Sequence, residues 1–115
     1  MSIGKMNAFI ELQEKKIIND DESFGTAVYK TLHSVRAYKE EIQDAGRRFK
    51  QWINAAAYAN ATDLFRFRVI PGFNVTTDYF INHKDRLFNI IAVDNESGKG
   101  LYVDVLAENI ERSVS

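Results

Sequence analysis

The chain has 115 residues, enough for one domain with its own hydrophobic core (residues 1–115) and too few for two. Apolar residues make up 45% and charged residues 27%, which argues against disorder, and the absence of cysteine excludes disulfides, thiolate metal sites and a cysteine nucleophile. Fifteen Lys and Arg against sixteen Asp and Glu leave a net charge of −1, so the chain as a whole lacks the positive field that non-specific nucleic-acid binding needs.

Met1 to Asn7 carries no apolar signal core, and no stretch approaches the roughly 18 apolar residues of a membrane span. The expectation is an intracellular protein without a membrane partner. Eight Phe and five Tyr predict an aromatic core.

Residues 7–18 (NAFIELQEKKII) fit a strand, in which Ile10 and Leu12 alternate with polar neighbours, although Phe9, Leu12 and Lys16 also fit helical spacing. Asn19 to Ser23 is a run of turn formers and predicts an exposed loop. Val28 to Tyr38 reads as a second extended segment with a mixed period, because Val28, Leu32, Val35 and Tyr38 stand near helical spacing. From Ile42 to Ala59, apolar residues recur every three or four positions through Phe49, Trp52 and Ala56, which predicts one amphipathic helix with Arg47, Arg48 and Lys50 on its polar side.

Leu64 to Ile70 is a clear alternation in which Phe65, Phe67 and Val69 face one way and Arg66 and Arg68 the other; Pro71-Gly72 ends it. Asp78 to Ile81 and Arg86 to Asp94 flank a polar tip at residues 82–85, the mark of a hairpin. After a turn at residues 95–100, the last strand runs from Gly100 to Glu108, with Leu101, Val103, Val105 and Ala107 on one side. The expected class is mainly β (α+β): a small antiparallel β-barrel, half-open, or a sandwich, with one short helix across an end.

Chemistry finds little foothold in these residues. His33 and His83 have no partner at metal-ligand spacing and read as solvated strand or turn positions. Residues 97–100 (SGKG) lack the upstream glycine of a phosphate loop, and residues 94–98 lack the glycine position and the twelfth-place glutamate of a calcium loop. No nucleophile elbow is present, so no enzyme, cofactor or metal is expected. Two binding features remain. Arg66 and Arg68, with Arg47, Arg48 and Lys50, form either a solvated surface or a partner-contacting patch. Phe65 and Phe67 are core residues or, in the competing class, a base-stacking platform of a small single-stranded nucleic-acid-binding barrel.

Four stretches in order resemble the head-tail joining (head closure) proteins of long-tailed bacteriophages and prophages. They are residues 33–37 (HSVRA), 46–49 (GRRF), 62–72 (TDLFRFRVIPG) and 79–93. The sequence departs from that pattern at Arg36, where the family often has a large aromatic, and at Arg48, where it often has an acid. The resemblance implies a non-catalytic protein of the virion neck, made in the bacterial host cytoplasm. It implies self-association into a ring between the portal-adaptor and the tail-completion proteins, with DNA passing through the lumen and no sequence-specific binding.

Overall fold

The computed structural model describes residues 6–18, 25–42, 61–95 and 99–110. Six strands follow one another: β1 (Ala8–Ile18), β2 (Thr26–Glu41), β3 (Asp63–Arg68), β4 (Phe80–His83), β5 (Arg86–Asp94) and β6 (Tyr102–Asn109). They close into a barrel in the order β1-β2-β3-β6-β5-β4, every pairing antiparallel. Of the architectures open from sequence, the barrel is the one formed. It is closed rather than half-open because β4 reaches β1, with Leu12 opposite Ile81. Of the helix expected at 42–59 only Ile42 is among the described residues, and the loop expected at 19–23 lies outside them.

Alternation fills the lumen. Ile10 and Leu12 of β1, Phe65 and Phe67 of β3, Ile81 of β4, Phe88 and Ile90 of β5, and Val105 of β6 are all sealed from solvent. Phe65 and Phe88 meet edge to face at 5.2 Å, the arrangement the ring quadrupoles prefer. Residues 69–79 make the one connection between strands that are not neighbours. They carry Val75 into the core and lay Ile70, Phe73 and Tyr79 against it, so one end of the barrel is plugged by the chain that crosses it.

Two bulges shape the wall. In the β1–β2 ladder Leu12 faces His33 and Gln13 faces Thr31, which leaves Leu32 as the extra residue on β2. In the β5–β6 ladder Ile91 is the extra residue between Ile90 and Ala92. The second bulge turns Ile91 and Ala92 toward Leu64 and Leu106, which face away from the lumen. The four, with Ile42 and Ala61, form a second apolar cluster on the outer wall, where Leu64 is 2% and Leu106 0% exposed.

The β4–β5 hairpin is tighter than its predicted four-residue tip. Asn82 and His83 belong to β4, and only Lys84 and Asp85 turn, at φ 54° and 64°. Two consecutive positive φ values mark a type I′ turn, whose twist matches that of the strands and which Asn-Gly fits best. Lys84→Asn with Asp85→Gly is expected to stabilise by about 0.5–1 kcal/mol, since left-handed backbone costs ordinary residues more than Gly. Calorimetry should show a Tm rise of about 2–4 °C.

Other edges shift as well. Val69 and Leu101 were expected inside; both fall just beyond the strands and are exposed, although the Val69 N–H still donates to the Leu101 carbonyl at 3.0 Å. His83 was expected in solvent and is instead buried. Its Nδ1–H donates to the carbonyl of Phe9 at 3.1 Å, and its ring sits 6.3 Å from that of Phe65. His33 is half-buried, with its ring 4.5 Å from Phe73.

Candidate functional site

The predicted arginine pair lies on the outer wall, both members projecting from β3 away from Phe65 and Phe67, as the alternation requires. Their environments differ. Arg66 stands opposite Asp104 in the β3–β6 ladder and clamps it with two hydrogen bonds, Nε to Oδ1 at 2.5 Å and Nη2 to Oδ2 at 2.7 Å. Asp104 is nearly sealed and faces Asp94 of β5, so the guanidinium serves two neighbouring carboxylates. The hydrogen bond that Arg66 donates to Asp104 raises the Arg66 pKa against the cost of burial, with the charges of Asp104 and Asp94 adding to it. Arg66 therefore stays charged throughout the working range and is occupied within the wall.

Arg68, two residues on, is exposed, its guanidinium 5.8 Å from the ring centroid of Tyr102. It is open to solvent. Arg47, Arg48 and Lys50 lie outside the described residues. Phe65 and Phe67 are each 0% exposed, so neither offers a face to a base and the stacking platform of the nucleic-acid reading is absent from these two residues.

Two depressions stand out among the described residues. The larger, of about 710 Å³, lies at the end where β2 leaves and β3 enters, between Lys39, Asp63, His83, Arg86 and Phe88. Lys39 is bound there to Asp63 at 3.0 Å, and the Nδ1–H of His83 is taken by the carbonyl of Phe9. The smaller, of about 340 Å³, lies beside exposed Phe9, over which Arg36 stands at 5.5 Å. Among the described residues no three His, Cys, Asp or Glu side chains gather as a metal would require, and no helix is long and apolar enough to cross a membrane.

A third surface was not foreseen. β4 accompanies β1 only along Glu11–Gln13 and β3 accompanies β2 only along Tyr38–Glu41, so the rest of the β1–β2 hairpin runs on beyond the barrel. Glu14–Ile18 and Thr26–Lys30 form a two-stranded ribbon, about 17 Å long at the usual strand rise. Its apolar side chains lie open, with Ile17 57%, Ile18 54% and Val28 40% exposed. The signal present in the sequence was a strand pair longer than any partner available to it. Likewise Asp104, a lone acid between Val103 and Val105, was the cue to a cross-strand partner for Arg66.

No curated protein matches the chain. Among solved structures, a chain described as "Virion of native gene transfer agent (GTA) particle" has a similar fold, with a TM-score of 0.54 and 19% identity over 93% of this chain and 97% of that one. Over residues 1–110 the sequence fits the model of the phage head completion proteins, and the chain belongs to that family of structural virion proteins.

Proposed function

We propose that this chain assembles as a ring in the phage neck, between the portal-adaptor and the tail, where it closes the DNA-filled head and docks the tail. Family membership over residues 1–110 carries the reading. A closed barrel with a projecting ribbon supports it, because a ring needs protruding, complementary surfaces rather than a catalytic cleft. A net charge of −1 suits a conduit through which DNA must slide without being held.

In this reading Arg68, with Arg47, Arg48 and Lys50, contacts the neighbouring virion proteins. Arg66 does not, being engaged with Asp104. The protein is made in the host cytoplasm and ends in the virion neck. Single-stranded nucleic-acid binding is set aside, since the aromatic residues it would use fill the lumen.

The test is a particle preparation from which only this gene is missing. Electron microscopy should show separate, tailless heads that have lost their DNA, alongside free tails, and supplied protein should restore joining. Full, tailed particles without the chain would refute the role.

A further inference from the structure

We propose that the β1–β2 ribbon is the joint between copies. In this arrangement, the open edge of β2 in one copy pairs with the open edge of β1 in the next, and the ribbons form one continuous antiparallel sheet around the ring. The inference rests on the ring reading above and names its interface.

Three observations carry it. First, among the described residues no strand pairs with the outer edge of β1 over Glu14–Ile18 or with that of β2 over Thr26–Lys30. A lone two-stranded ribbon is marginal in water, and its unpaired backbone groups are a template for a further strand. Second, the two edges belong to one element. A heterologous interface repeated about an axis needs a donor surface and an acceptor surface on every copy, and this ribbon holds both.

Third, the ribbon's own register is complementary. Glu14 stands opposite Lys30, Lys16 opposite Val28, Ile17 opposite Ala27 and Ile18 opposite Thr26. Copies related by rotation about an axis along the strands stand at equal height. The β2 edge of one copy then meets in its neighbour's β1 the same residues it already faces in its own. Glu14, already within 3.6 Å of Lys16, again stands opposite Lys30, the exposed Ile17 and Ile18 again meet Ala27 and Thr26, and Val28 again lies against Lys16. Like charges never face each other in this register.

The opposing interpretation is that Lys15, Lys16 and Lys30 guard the edges against pairing, as lysines on edge strands commonly do. Cross-linking in assembled particles decides. The chain has no cysteine, so Ala27→Cys introduces a single exposed thiol. In the joined sheet, equivalent residues of adjacent copies are two strand spacings apart, about 10 Å.

A bis-maleimide of that span should convert the neck protein into a ladder of dimers, trimers and larger species, and Lys15→Cys should do the same. Lys84→Cys, in the hairpin turn beyond the opposite end of β1, should leave it monomeric. Adding Lys30→Glu to the Ala27→Cys chain should cut the ladder several-fold, and adding Glu14→Lys as well should restore it. Tailed, DNA-filled particles in which both ribbon cysteines give monomer alone would overturn the joint while leaving the neck role standing. Loss of the chain from the neck altogether would remove the reading beneath it.

Discussion

Arg66→Met is expected to lower the stability of the chain by about 3–5 kcal/mol, the usual cost of removing one partner from a buried pair. The argument concerns what remains. Asp104 is 2% exposed, and its carboxylate would lose both hydrogen bonds from the guanidinium while still facing Asp94 across the β5–β6 ladder. Like charges directly opposite on a sheet repel. Urea denaturation should report the loss as a lower midpoint at unchanged slope. Replacing the pair together, as Arg66→Met with Asp104→Leu, should recover most of it, because two apolar side chains need no compensation. Arg68→Met, on the same face but exposed, should change stability by less than about 0.5 kcal/mol. If Arg66→Met proves as mild as Arg68→Met, the buried pair is not what holds β3 to β6.

Phe65→Ala should cost about 3–5 kcal/mol, through lost transfer energy and the void left in the lumen. Phe65 is wholly enclosed, touches Phe88 edge to face, and lies beside the ring of His83, so its removal empties space at the centre of the core cluster. Phe65→Leu, which keeps most of the volume, should cost well under half as much. Phe9→Ala is the control, since that ring is mostly in solvent. Chemical denaturation of the three variants separates them. A Phe65→Ala chain as stable as Phe9→Ala would place the barrel's core elsewhere.

The C-terminal half of the fold was readable because its strands alternate cleanly. Phe65 and Phe67 against Arg66 and Arg68 announced an inward and an outward face, and Val103, Val105 and Ala107 did the same for β6; each of these lies where the period put it. β2 was harder for a physical reason. The bulge at Leu32 reverses the alternation midway, so Val28, seven residues from Val35, lies on the same side of the ladder, opposite Lys16 as Val35 is opposite Ile10. A two-residue period interrupted in this way imitates a helical one.

The candidate site was less legible, since its properties come from pairings between distant segments. Nothing near Arg66 in the chain predicts Asp104, 38 residues on, and His83 is buried through a carbonyl 74 residues away. That β1 and β2 outrun their neighbours follows from the short lengths of β3 and β4, which is a fact about the assembled sheet. Family membership, by contrast, was carried by the order of short stretches along the chain, which needs no knowledge of pairing.

The connection at residues 69–79 also sets how the barrel can form. Strands β1 to β3 make one meander and β4 to β6 another, and their strands pair with each other at the seams β3–β6 and β1–β4. During synthesis β1 to β3 leave the ribosome first, and neither seam can zip until β4 and β6 have followed. Distant pairings of this kind slow folding and lengthen the exposure of sticky surface. A pause in translation between the two halves should therefore lower the yield of folded chain, and chaperone demand should peak in that interval.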